Sequence, residues 1–151
     1  FTDTHGQVKA LRNLFPKSIR RMSGVVIDIY FDHLLCAHWT RFSEPALDNF
    51  LEHFYIEIQD YPNNISDRFT HVRHGLLTYR WLADYQHSEN CERSFLQIEK
   101  RLTNRVIFAN EAMQFIQQNE SELQARFLDF YPELIQFSDA KAVELRILNE
   151  R

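Results

Sequence analysis

The chain has 151 residues, 44% hydrophobic and 14% aromatic, with a formal net charge of −4 at pH 7. That length suits one domain burying roughly 70% of the surface its unfolded chain exposes. No run of about 18 apolar residues occurs, which excludes a helical membrane span, and the acidic balance argues against a general nucleic-acid binder.

Only three glycines (Gly6, Gly24, Gly75) punctuate the sequence, too few for a strand-and-turn architecture. The expectation is an all-α fold, a single helical domain over residues 1–151. Thr4 or Asp3 is positioned to cap a first helix whose apolar face is Val8, Leu11 and Phe15, with Pro16 ending it. A second helix is expected from about Lys17 to Phe42; Ile19, Met22, Val26, Ile29, Tyr30, Leu34 and Trp39 surround it, as in a central helix. Ser43 and Pro45 open a third, with Leu47, Phe50, Leu51, Phe54 and Ile58 at three-and-four spacing. Asp60-Tyr-Pro-Asn-Asn reads as a turn. Ser66 caps a fourth helix running through Tyr85, and Ser88 starts a fifth carrying Phe95, Ile98 and Leu102. From about Val106 a long C-terminal region keeps Leu123, Phe127, Phe130, Leu134 and Phe137 on one stripe, and Pro132 should break or kink it. The tail from Ala140 has good helix formers and a weak core signal, and is expected to fray or to pack on a partner. Cys36 and Cys91 have neither metal-type spacing nor a disulfide framework, so they read as buried thiols of a reducing compartment.

The segment most suggestive of chemistry is Asp28-Ile-Tyr-Phe-Asp32-His33-Leu-Leu-Cys-Ala-His38-Trp39. Helical spacing puts Asp28 and Asp32 on one face, with His33 about 100° further round. Amid large apolar residues the three would form an inward-facing cluster. Two carboxylates one turn apart repel, and a divalent cation or a cationic side chain removes that cost. Carboxylate plus imidazole suits Mn²⁺, Fe²⁺ or Mg²⁺. The competing reading is a solvated acidic edge, or a buried pair held by Arg20, Arg21 or Arg73. Asp3 with His5 is a weaker ligand pair, because Asp3 serves equally as a helix cap. His38 reads as a satisfied histidine beside Trp39. Arg12, Lys17, Arg20 and Arg21 concentrate positive charge near the start of the chain, which is either ordinary solvated surface or a docking patch for an anionic partner. His71, Arg73 and His74 could meet a phosphate, although no Gly-rich phosphate loop is present.

Phe1-Thr2-Asp3, Asp28-Ile-Tyr-Phe-Asp32-His33-Leu-Leu, His38-Trp39, Trp81-Leu82-Ala-Asp-Tyr85 and Arg126-Phe127-Leu-Asp-Phe130-Tyr131-Pro132 together resemble the bacterial acyl carrier protein phosphodiesterases. The pieces fall in the right order over nearly the whole chain. The resemblance implies a cytoplasmic hydrolase of lipid metabolism and fatty acid biosynthesis. It would remove 4′-phosphopantetheine from holo-acyl carrier protein, using Mn²⁺ or another divalent cation to activate the attacking water. It also implies a fold similar to the helical HD-type metal phosphohydrolases. On this reading Asp32 and His33 are the leading metal ligands, and Asp28 and Asp3 follow as ligands or as catalytic base groups. Arg12, Lys17, Arg20 and Arg21 would dock the acidic carrier; neither nucleic acid nor membrane is an expected partner. Two departures accompany the resemblance. Family members carry sequence before the point where this chain begins, including a Gly-Asn…Asp-Phe segment and a Leu-His-Arg-x-Ile-Asp segment. The chain is therefore expected to be the C-terminal part of a longer domain, with an incomplete metal shell that can leave the fragment inactive by itself. The doublet reads Asp-His where the wider HD group reads His-Asp, so that group's metal geometry does not transfer. Two other readings stay open: a helical binding module for an acidic partner, and a related metal phosphohydrolase with a nucleotide substrate.

Overall fold

A computed structural model describes residues 1–62 and 66–149. Among these residues the regular structure is entirely helical, as the glycine count suggested. The seven α-helices are α1 (Gly6–Leu14), α2 (Ser23–Ala37), α3 (Trp39–Phe42), α4 (Leu47–Asp60), α5 (Asp67–Tyr79), α6 (Glu89–Arg101) and α7 (Ala109–Asn149), with short 3₁₀ turns at Thr2–Thr4, Arg20–Met22 and Trp81–Gln86. No described helix is long and apolar enough to cross a membrane. The chain divides into two compact units, Phe1–Phe31 with Glu92–Arg151, and Asp32–Cys91, so the division falls within α2.

The first unit is built on aromatic packing. α1 lies against α7. Val8, Leu11 and Phe15 are buried as their spacing required. Phe15 meets Phe115 with ring centroids 4.0 Å apart, and Phe31 meets Phe127 at 5.2 Å and Phe130 at 5.6 Å. Phe1 stacks on Phe137 at 4.5 Å. Such pairs add about 1 kcal/mol each beyond the area they bury.

Several boundaries differ from the sequence reading. α1 is capped by His5, whose ring accepts the Gln7 N–H at 3.3 Å, and not by Thr4 or Asp3. The Thr4 hydroxyl instead donates to the Phe1 carbonyl. The second helix starts at Ser23, not near Lys17. Proline disfavours helical backbone at the preceding residue, and Phe15 is accordingly extended. The Arg20 guanidinium then folds back onto the Asn13 and Phe15 carbonyls at the exposed end of α1. The helix also stops at Ala37, because His38 leaves helical backbone before the single turn of α3. Pro132 does not break α7. The non-helical residue is Asn119 (φ −123°, ψ 19°), whose side-chain amide donates to the Phe115 carbonyl at 2.8 Å. A local side-chain bond competes with the helical ladder at that point, whereas Pro132 is held in helix beside buried Phe127 and Phe130. The tail from Ala140 continues as helix with Val143 and Leu145 exposed.

In the second unit α4 packs on α5 and on the 3₁₀ turn that follows it. Ser66 caps α5 as expected, accepting the Phe69 N–H at 3.1 Å. The expected turn after Asp60 reaches Asn63 and Asn64, which lie outside the described residues. α5 ends at Tyr79, earlier than the expected Tyr85. Arg80 turns the chain there with left-handed backbone (φ 47°), which costs a non-glycine residue about 1–2 kcal/mol. Its guanidinium pairs with Glu52 and lies 4.3 Å from the centroid of the Tyr55 ring, so α4 holds this corner in place. Gly75 admits Trp81 against α5, where an added Cβ would meet the indole at 3.3 Å.

Glu99 is buried on α6 and accepts the Phe108 and Ala109 N–H groups at 2.5 and 2.6 Å, satisfying two donors at the start of α7. Glu99→Ala would strand both, and each buried unsatisfied donor costs about 1–3 kcal/mol. We expect a loss of roughly 3 kcal/mol in denaturant unfolding, with Glu99→Gln recovering part of it because its amide oxygen still accepts. A loss below about 0.5 kcal/mol for the alanine variant, the range of an ordinary surface substitution, would contradict this role.

Candidate metal centre

The sequence singled out Asp3, Asp28, Asp32 and His33. Asp3 and Asp28 lie in the first unit, Asp32 and His33 in the second. The carboxylates do not face inward: Asp3, Asp28 and Asp32 are exposed, and His33 is half-buried. The apolar residues around them, Ile27, Ile29, Tyr30, Phe31 and Leu34, take the buried positions of α2 and leave its acids at the surface.

His33 is the most constrained of the four. Its Nδ1 lies 2.8 Å from the Tyr85 carbonyl oxygen. A carbonyl can only accept, so in the neutral ring Nδ1 carries the proton and Nε2 carries the lone pair. This is the support that metal-binding histidines ordinarily receive, since it fixes the ring orientation and raises the basicity of the other nitrogen. Tyr85 ends the Trp81-Leu82-Ala-Asp-Tyr85 run, which is the 3₁₀ turn between α5 and α6. Two stretches 52 residues apart thus meet in one hydrogen bond. Asp32 precedes His33, and its charge helps to raise the neighbouring thiols. Burial is the larger cause at both, pushing Cys36 up to about 11 and Cys91 up to about 12. Both therefore stay protonated near neutral pH, and neither is in a disulfide.

In the first unit, Arg12 and Asp3 form a long ion pair at 4.0 Å, and the Arg12 guanidinium also runs beside Gly24 on α2. The Asp28 carboxyl is held above the ordinary carboxylate range, first by the loss of hydration around it and then by the charge of Asp3, with Arg12 pulling the other way. His5 is no partner for Asp3 in ligation. Its Nδ1 caps α1 and its Nε2 lies 3.1 Å from a Glu133 oxygen, so both ring nitrogens are occupied.

Of the four basic residues, Arg12 pairs with Asp3 and Arg20 caps α1, while Lys17 and Arg21 are exposed. Arg73 donates to the Tyr61 carbonyl at 2.8 Å and lies over Phe69, and His71 and His74 are exposed on α5. His38 is half-buried at the start of α3, and the neighbouring Trp39 indole donates to the Pro45 carbonyl at 2.7 Å.

Carboxylate with a neutral, tautomer-fixed imidazole is a donor set that fits a hard or borderline divalent cation. No group of three or more His, Cys, Asp or Glu side chains placed to hold a metal ion occurs among the described residues. Asp32 and His33 are thus two potential donors adjacent in sequence, without a third donor placed beside them among the described residues. The Tyr85 carbonyl is the feature that sequence reasoning missed, because no spacing rule relates positions 33 and 85.

A family model for acyl carrier protein phosphodiesterase matches residues 1–134. The chain belongs to the acyl carrier protein phosphodiesterase family. Its members are hydrolases. Proteins named acyl carrier protein phosphodiesterase are 26% identical in Klebsiella pneumoniae (strain 342) over 141 residues and 29% identical in Yersinia pestis over 147 residues. These alignments take in 93% and 94% of this chain and 72% and 74% of the relatives' own lengths. A third, from Photorhabdus laumondii, is 28% identical over 148 residues. No solved structure matches the chain. Family membership agrees with the resemblance read from the sequence, and the family match spans Asp3, Asp28, Asp32, His33 and Tyr85.

The electrostatics of Asp28 can be tested by NMR titration of its carboxyl group in metal-free protein. Arg12→Ala should raise its pKa further, and Asp3→Asn should lower it. A pKa raised in the folded state means that the native protein holds this proton more tightly than the unfolded chain. The group therefore loses stability for the fold as pH rises from its unfolded value through its folded one. Asp28→Asn should thus be neutral to stabilising above that window, by less than about 1 kcal/mol because the side chain is exposed. Asp28 titrating below an unfolded-chain aspartate would contradict the assignment.

Proposed function

We propose that this protein hydrolyses the phosphodiester joining 4′-phosphopantetheine to the serine of holo-acyl carrier protein. The bond from phosphorus to the serine oxygen breaks, water adds, and the products are the apo carrier and free 4′-phosphopantetheine. The observation that carries the proposal is His33 with Nδ1 fixed on the Tyr85 carbonyl, beside Asp32, in a chain whose family and relatives bear the name of this activity.

In this reading Asp32 and His33 would hold a divalent cation, Mn²⁺ in the first instance, with Asp28 and Asp3 as further ligands or proton-handling groups. A cation held there would supply Lewis acidity toward phosphoryl oxygens and would acidify water. The protein's own contribution is orientation and charge. The Tyr85 carbonyl keeps the lone pair of His33 on Nε2. Asp28, whose carboxyl holds a proton more readily than an ordinary aspartate, is suited to accept one from water. Arg12 offsets the combined negative charge of Asp3 and Asp28. The kinship to HD-type phosphohydrolases belongs to the same proposal, as does a cytoplasmic site of action.

The test is release of 4′-phosphopantetheine from holo-acyl carrier protein in the presence of Mn²⁺, followed by mass spectrometry of the carrier. Asp32→Ala and His33→Ala should each lower kcat/KM by at least about 100-fold and weaken Mn²⁺ binding measured by electron paramagnetic resonance, with helicity retained by circular dichroism. Undiminished turnover in both variants would remove the site assignment. Absence of turnover by the complete wild-type protein would remove the substrate assignment.

A further inference from the structure

α6 ends, as helices commonly do, in residues of left-handed backbone that lead into the segment joining it to α7. Thr103 and Asn104 both take left-handed backbone (φ 54° each), and only glycine adopts that conformation without cost. The loop is nevertheless pinned. The Asn104 N–H donates to the Glu99 carbonyl at 2.9 Å, the Arg105 N–H to the Leu102 carbonyl at 3.1 Å, and the Glu99 carboxylate grips the far end at Phe108 and Ala109.

Lys100 and Arg101 on the last turn of α6 and Arg105 in the loop that follows are all exposed. Among the described residues none of the three takes part in an ion pair. Beside them Leu102 is 39% exposed and Ile107 67% exposed. Uncompensated cations around exposed aliphatic side chains, on backbone already ordered, form a surface suited to an anionic protein. Little ordering entropy remains to be lost on binding, and the cations speed encounter and set orientation. The net charge of −4 disfavours a nucleic acid or an anionic bilayer, because the field of the whole chain repels a polyanion. It opposes a compact acidic protein less when the contact is one local basic patch.

We infer that the last turn of α6 and the α6–α7 loop, through Lys100, Arg101 and Arg105 with Leu102 and Ile107, form a docking surface for the acidic face of the carrier protein. This inference rests on the reading given under Proposed function for the identity of the partner. It differs from the sequence-based patch of Arg12, Lys17, Arg20 and Arg21, in which Arg12 and Arg20 are committed to contacts within the chain.

The experiment is fluorescence anisotropy of labelled apo-acyl carrier protein titrated with the full chain, which measures binding without turnover. The double variant Lys100→Glu/Arg101→Glu should weaken binding by at least about tenfold and flatten its salt dependence. Ile107→Ser should weaken it at unchanged charge. Lys17→Glu/Arg21→Glu should weaken it less than the loop variants do. Thermal unfolding of each variant guards against misfolding, and Ile107→Ser, exposed and uncharged, keeps the test open if a charge reversal fails to fold. Unchanged affinity in the loop variants would overturn the inference. So would preferential binding of phosphatidylglycerol vesicles or duplex DNA over the carrier, or self-association of the chain through this loop in sedimentation. Carrier binding that depends on the loop, in a protein that releases no 4′-phosphopantetheine, would uphold the docking surface and remove the hydrolytic reading.

Discussion

The hydrogen bond from His33 to the Tyr85 carbonyl is the constraint on which the functional account depends. It converts an imidazole with two interchangeable nitrogens into one with a defined donor and a defined lone pair. It depends in turn on a series of contacts within the second unit. Glu52 and Tyr55 of α4 hold Arg80 at a left-handed corner, Gly75 lets Trp81 close onto α5, and the 3₁₀ turn that results presents the Tyr85 carbonyl. The acids of α2 need less support, since they lie at its surface and need only the helix itself.

The first unit contributes charge set on a rigid aromatic base. Phe15 with Phe115, and Phe31 with Phe127 and Phe130, fix the end of α1 and the middle of α2 against α7. Arg12 then meets Asp3 and offsets the charge around Asp28. Arg20, one residue of an apparent docking patch, serves instead as a cap on α1. A basic cluster in sequence is therefore a poor guide to a basic surface, because each guanidinium must first be checked for carbonyls and carboxylates within its reach. Lys100, Arg101 and Arg105 pass that check, and Glu99 of α6 is turned inward onto backbone donors.

Much of the fold was legible because it rests on local rules. Periodicity located the buried face of α1 and Leu123, Phe127 and Phe130 of the α7 stripe, and Ser66 marked the start of α5; on α4 it found Leu51 but missed Tyr55 and took exposed Phe50 for core. Long-range contacts were not legible. His5 displaced Thr4 and Asp3 as a cap because its second nitrogen finds Glu133, far along the chain. Pro132 stayed helical while Asn119, an unremarkable residue in sequence, made the irregularity through its own amide. At the candidate centre, residue identities came from motif resemblance, and their orientation did not: a helix crowded with apolar residues was read as enclosing its acids, yet it buries its apolar positions and turns Asp28 and Asp32 outward. The match to the acyl carrier protein phosphodiesterase family spans these positions. The Tyr85 carbonyl gives the physical reason why His33 in particular is suited to bind a cation.

The most direct measurement of this claim is a long-range ¹H–¹⁵N correlation spectrum of the neutral His33 imidazole, recorded metal-free and again with substoichiometric Mn²⁺. The account predicts an Nδ1-protonated ring and selective broadening of its Nε2-side resonances by the ion. A ring protonated at Nε2, or one untouched by Mn²⁺ at concentrations that support turnover, would contradict it.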